Sequence, residues 1–148
     1  MDALRRLSTT LEKVPALLIA IPEDHAAKKR AAGKWSKKQE LGHLLDSACN
    51  NHQRVVRAQL ENEPSLPGYD GDGWVLLHDY QEMDWKEIIA CWRVMNEHFL
   101  RAASKVSPPT SKRKLTVEGK KMTVAFLIDD YLDHLLHHLR QLGINISW

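Results

Sequence analysis

His134 and His138 stand four residues apart in the stretch Thr123 to Leu142, TVAFLIDDYLDHLLHHLRQL, which contains neither Gly nor Pro. Four residues are about one helical turn, so in a helix both imidazoles lie on one face and reach one point. A neutral imidazole is a common ligand for divalent first-row metals, and a buried one needs a partner for both ring nitrogens. The chemistry that this spacing suits is a shared metal ion. A third ligand must come from elsewhere, because His137 falls on the polar face with Asp130, Asp133 and Arg140.

The helix that carries the pair is amphipathic. Val124, Leu127, Tyr131, His134, His138 and Gln141 recur at alternating steps of three and four, with Ile128, Leu135 and Leu142 beside them. Both histidines therefore occupy positions where a core Leu is expected. Three more long helices are expected before this one. The first spans about Asp2 to Ala20 on Leu4, Leu7, Leu11, Val14 and Leu18, with a kink or break expected between Leu11 and Pro15. The second runs from Ser36, whose spacing to Gln39 is that of a capping box, to about Leu60. The third opens at Asp84, with Glu87 at the same spacing, and runs to about Lys105 on a stripe of Ile88, Cys91, Trp92, Met95, Phe99 and Ala102. Between them, residues 22–34 read as a basic loop or short helix and residues 62–73 as a loop. Residues 74–83 read as irregular or a short helical turn, and SKRKLTVEGKKM reads as a small hairpin or an extended crossing. Four such helices imply an all-α four-helix bundle with long connecting loops, and 148 residues suit a single domain over 1–148.

Composition excludes little. Charges of 21 and 19 leave a net +2, too little to imply nucleic acid or an anionic membrane as partner. The N-terminus lacks the apolar core of a signal peptide and no run is long enough to span a membrane, so the expected location is cytoplasmic. Cys49 and Cys91 lie in expected helices without CxxC spacing and read as small packing residues. Trp74, Trp85, Trp92 and Tyr131 are candidate pocket walls, with Trp92 assigned to the core.

Periodicity nominates His52 as the third ligand, since it shares the face of Leu45, Ala48 and Val56, and it does not nominate His43, whose helical neighbours are polar. A resemblance points the other way. Trp35-Ser36, Glu40 to Ala48 (ELGHLLDSA) and Asn50 to Arg54 (NNHQR) resemble the second helix of the DinB-like superfamily, which includes YfiT-type metal-dependent hydrolases. Tyr131 to Gln141, with its His-x-x-x-His, resembles that family's last helix. The resemblance covers nearly the whole chain. It implies a four-helix bundle of the DinB/YfiT type, a homodimer, and a divalent ion such as zinc or nickel on three histidines. These map onto His43, His134 and His138. We follow the resemblance and expect the ring nitrogens of His52 to lie well away from the ion.

Three imidazoles leave an open coordination position, as catalytic sites do. The resulting expectation is a metal-dependent hydrolase, or a transferase that activates a thiol, acting on an unidentified small molecule. The alternative is a non-catalytic metal-binding or stress-related interaction module, because no confident general base is apparent. Asp46 and Asp130, each about one turn from a ligand, are weak candidates for orienting a histidine or acting as base.

Overall fold

The computed structural model describes residues 2–147. Among these the helices are α1 (Asp2–Ile19), α2 (Glu23–Ala27), α3 (Lys37–Leu60), α4 (Gly71–His78), α5 (Trp85–Ala103), α6 (Pro108–Ser111) and α7 (Val124–Gln141). Three short strands, β1 (Ser65–Leu66), β2 (Lys114–Val117) and β3 (Lys120–Thr123), complete the elements.

The long helices α1, α3, α5 and α7 form the four-helix bundle. Helix α3 packs on α5 and α7, and α1 packs on the same two. The first and second long helices are thus diagonal rather than neighbours, and so are the third and fourth. The segments 20–36 and 104–123 make these two diagonal steps. The arrangement sets α3 directly against α7, the two helices that carry the candidate ligands.

Each apolar stripe reaches the core. Leu7, Val14 and Leu18 of α1, Leu41, Leu44 and Val55 of α3, Trp92 and Phe99 of α5, and Tyr131, Leu135 and Leu139 of α7 are buried. Across the bundle interior between the diagonal helices α5 and α7, the Tyr131 hydroxyl donates to Asn96 Oδ1 at 2.5 Å, satisfying two polar groups in the apolar interior.

Local signals set the helix ends. Ser36 and Gln39 form the expected capping box: Ser36 Oγ accepts from Gln39 N at 3.2 Å and Gln39 Oε1 from Ser36 N at 3.0 Å. Thr123 caps α7 through Phe126 N. Other expectations are corrected. Helix α1 runs unbroken through Pro15, since packing on α5 and α7 holds it together past the missing N–H. Asp84 makes no side-chain cap bond; its carbonyl accepts from Glu87 N instead. The segment 62–73, expected as loop, contains β1 and the start of α4, and of the two readings of 74–83 the short helix holds up to His78; α4 is capped by Asp70 Oδ1 on Gly73 N at 3.1 Å. Cys91 is exposed rather than part of the core stripe, and both cysteines are free thiols.

The basic segment before α7 is a hairpin. Strands β2 and β3 pair antiparallel with Val117 opposite Lys120, and β1 adds in parallel to β2. Glu118 and Gly119 both take positive φ, 49° and 77°, the requirement of a two-residue turn that follows the twist of its strands. Among the described residues no helix is long and apolar enough to cross a membrane.

Candidate metal centre

His43 lies two turns into α3, past the Ser36 cap, on the side that α7 covers. There His43 Nε2 and His134 Nε2 face each other at 3.3 Å. His138 completes a triangle, with ring centroids 4.7 Å from His43 and 4.4 Å from His134. One nitrogen from each of the three lies within 4.8 Å of the others. Nitrogens bound at about 2.0–2.1 Å to a tetrahedral ion stand about 3.3 Å apart. The donor set and its spacing thus fit a divalent cation that accepts imidazole.

The remaining ring nitrogens set the tautomers. His138 Nδ1 is bonded to Glu40 Oε1, so its proton faces the carboxylate and Nε2 is left to the cluster. His134 Nδ1 lies 3.4 Å from Ser47 Oγ. His43 Nδ1 is buried without a partner beneath the start of α4, where a Cβ on Gly71 would stand 3.5 Å from it. The other oxygen of Glu40 accepts from Arg30 Nη2 at 3.2 Å, and Arg30 Nη1 donates to the Gln141 carbonyl at 3.0 Å. The carboxylate therefore bridges a guanidinium and an imidazole while its side chain is only 3% exposed.

Electrostatics favour the neutral, ligating form of two of the rings. Burial lowers the pKa of His134 to about 4, with help from the charges of His138 and His43. Burial also lowers that of His43, followed by the charge of His138 and opposed by Glu40 and Asp72.

The other expected residues lie elsewhere. His52 faces His98 of α5 with ring centroids 6.0 Å apart and is not in the cluster. Asp46 is buried and turned toward α4, accepting from the Tyr80 hydroxyl at 2.6 Å and lying 3.1 Å from His78 Nδ1. Asp130 is exposed. Neither carboxylate bonds to a ring of the cluster; Glu40, which the sequence showed only as part of the motif around His43, occupies that role. Its spacing of three residues before His43 was the available signal, but its partners His138 and Arg30 lie on other elements. Of the aromatics singled out from sequence, Tyr131 lines a cavity beside His134; the ring against His43 is that of Trp35, with centroids 5.0 Å apart.

Two cavities flank the triangle. One, about 540 Å³, is lined by Arg30, Lys34, Trp35, Glu40, Asp72 and His138 among others. The second, about 400 Å³, lies on the His134 side against Ser47, Arg54, Tyr69 and Tyr131. Together these features define a four-helix bundle protein with a three-histidine centre beside a small-molecule-sized cavity.

The profile of the DinB superfamily matches residues 6–142, and the chain belongs to that superfamily. A relative from Oceanobacillus iheyensis named "Putative metal-dependent hydrolase" is 20% identical over 145 residues, covering 97% of this chain and 83% of the relative. Among solved structures, YfiT from Bacillus subtilis superposes with a TM-score of 0.69 at 19% identity, covering 96% of this chain and 89% of that one. It is described as "a probable metal-dependent hydrolase with an unusual four-helix bundle topology". A mycothiol-dependent maleylpyruvate isomerase superposes with a TM-score of 0.73 at 10% identity, and this chain spans 61% of its length. At these identities the two structures establish the shared fold.

Proposed function

We propose that the protein is a metal-dependent enzyme holding a divalent ion, zinc or nickel, on His43, His134 and His138, and acting on a small molecule by hydrolysis or by transfer to a thiol. The observation that carries this is the convergence of three ring nitrogens from α3 and α7, two of them 3.3 Å apart, beside an open cavity. When bound, an ion with a free position supplies Lewis-acid polarisation of the reacting group. The chain's own residues supply the rest. Glu40 holds the Nδ1 proton of His138 and fixes that ring's orientation. Ser47 does the same for His134. Trp35 walls the cavity against His43. The name of the Oceanobacillus relative supports the hydrolase branch, and the likeness to a thiol-dependent isomerase supports the thiol branch.

A non-catalytic metal-binding or interaction module is the second reading. It is favoured by the engagement of both buried carboxylates near the cluster, Glu40 with His138 and Arg30, and Asp46 with Tyr80 and His78. Homodimerisation is part of the proposal. Leu76 and Leu77 of α4, 79% and 85% exposed, are apolar surface that a second copy would cover, and light scattering over a range of concentrations tests this.

The deciding experiment is the metal content of untagged protein and of His43→Ala, His138→Ala and His52→Ala after reconstitution with zinc or nickel. The expected result is near one ion per chain in the wild type and in His52→Ala, and loss in the other two. Metal retained in His43→Ala overturns the assignment.

A further inference from the structure

Between Lys28 and Lys38 the chain carries Lys28, Lys29, Arg30, Lys34, Lys37 and Lys38 without one acidic residue. In a protein of net charge +2 this is a marked local excess. Read alone it is a solvated surface run. The fold gives it a place. Lys38 is buried and paired with Glu23, and Lys37 Nζ donates to the Leu142 carbonyl. Arg30 and Lys34 line the 540 Å³ cavity that ends at His138. Arg30 also borders a neighbouring cavity of about 390 Å³ whose other walls are His25, Lys28, Lys29 and Lys37, with no carboxylate.

Arg30 is pre-organised. Its two bonds, to Glu40 and to the Gln141 carbonyl, hold the guanidinium plane at the mouth of the cavity, and three of its five N–H groups are left for a ligand. Such a fork matches a carboxylate. Lys34 is exposed and makes no ion pair among the described residues, so its charge is available. Facing these two cations are Glu40, already bonded to His138, and Asp72 at the start of α4. Before any ion binds, the cavity's fixed charges of Arg30 and Lys34 against Glu40 and Asp72 cancel. One divalent ion then leaves an excess of two positive charges, which favours an anion over its neutral isostere; the choice of an organic acid over an inorganic anion rests on the apolar ring of Trp35. The Trp35 ring beside His43 offers an apolar surface between the cations and the cluster.

We propose that the cavity selects small organic acids, with the substrate carboxylate on Arg30 and Lys34, its apolar part on Trp35 and its reacting group toward the three-histidine cluster. This deepens the proposed function and rests on reading that cluster as the reaction centre. Arg30 and Lys34 are then specificity-determining residues. Because Arg30 shares Glu40 with His138, ligand and metal are coupled through one carboxylate, whereas Lys34 touches only the ligand side.

The test is isothermal titration of the untagged full chain, zinc-loaded and metal-free, with benzoate, its neutral isostere benzamide, and inorganic phosphate. Metal content is measured on the same samples. Benzoate is expected to bind the zinc-loaded protein at least tenfold more tightly than benzamide and more tightly than phosphate. Lys34→Ala should weaken benzoate by about five- to tenfold, the loss of one charged contact, with zinc content unchanged and affinity restored by Lys34→Arg. Lys112→Ala, in the distant α6–β2 segment, should have no effect. Unchanged benzoate affinity in both Lys34→Ala and the double variant Arg30→Gln/Lys34→Ala overturns the proposal, as does tighter binding of phosphate or an absence of benzoate binding. Benzoate binding that depends on Lys34 in a protein that takes up no metal removes the metal-centre reading and leaves this one standing.

Discussion

Glu40→Gln is the substitution that most directly probes how the centre is held. It preserves shape and removes one charge from a side chain only 3% exposed. Both carboxylate oxygens of Glu40 accept, one from His138 Nδ1 and one from Arg30 Nη2. An amide has one accepting oxygen and one NH₂ donor, so it cannot serve two donors. If its oxygen faces His138, its NH₂ meets the guanidinium and the ion pair is lost. If its oxygen faces Arg30, His138 must accept at Nδ1, and its proton moves to Nε2, the nitrogen turned to the cluster. A protonated Nε2 cannot ligate. Loss of a carboxylate that orients a ligating histidine costs about 10–100-fold in metal affinity, or about 1.4–2.7 kcal/mol. The effect is also visible as stability. At zinc a thousand times Kd, binding stabilises the fold by about 4.1 kcal/mol, and a tenfold weaker site leaves about 2.7 kcal/mol at the same zinc concentration. Competition titration against a chelator gives Kd, and thermal unfolding with and without zinc gives the linked stability. Zinc affinity in Glu40→Gln within twofold of the wild type refutes the role assigned to Glu40.

Acid should weaken the metal-free fold by a route with a definite sign. Burial holds His134 near a pKa of about 4 and lowers His43, while both titrate near 6.5 when unfolded, so the unfolded chain binds more protons in between. This contribution to stability is fully present above about pH 6.5 and is lost as pH falls toward 4; urea unfolding at pH 5, 6 and 8 checks it, and a midpoint that rises on acidification contradicts it. Gly42→Ala would place a Cβ 2.1 Å from Tyr80 Cδ2, forcing the ring whose hydroxyl donates to buried Asp46 to move. A loss of about 1–3 kcal/mol is expected from such overpacking, measured by denaturant unfolding. Tyr131→Phe leaves Asn96 Oδ1 without its hydroxyl donor inside the bundle and should cost about 1–3 kcal/mol, with zinc content unchanged.

What could be read in the sequence was local. The capping box at Ser36 and Gln39, the Thr123 cap and the three-and-four spacing in α1, α3, α5 and α7 depend on residues within a turn of one another, so the four long helices were legible. The His134–His138 pair is legible for the same reason. Helix α4 was legible only as one of two alternatives, irregular chain or a short helical turn, because it is only eight residues long and lies against α3 for support.

The third histidine marks the limit of periodicity. His43 and His52 are nine residues apart on α3, which is about 180° around the helix, so they serve opposite faces. Apolar spacing alone favoured His52, and a family resemblance was needed to favour His43. Packing places α7 beside the His43 face and α5 beside the His52 face, where His52 meets His98. Glu40 and His138 are 98 positions apart, and nothing in either helix encodes the other's position. By itself the sequence determined the four long helices, most of their apolar stripes and that two histidines share a point. The tertiary structure decided which helices are neighbours. That choice joined His43 to the pair, turned Asp46 away to Tyr80, gave Glu40 its two partners and brought the basic segment to the mouth of the cavity. Helix periodicity is a property of a few consecutive residues, whereas the pairing of faces depends on how all four stripes are buried at once.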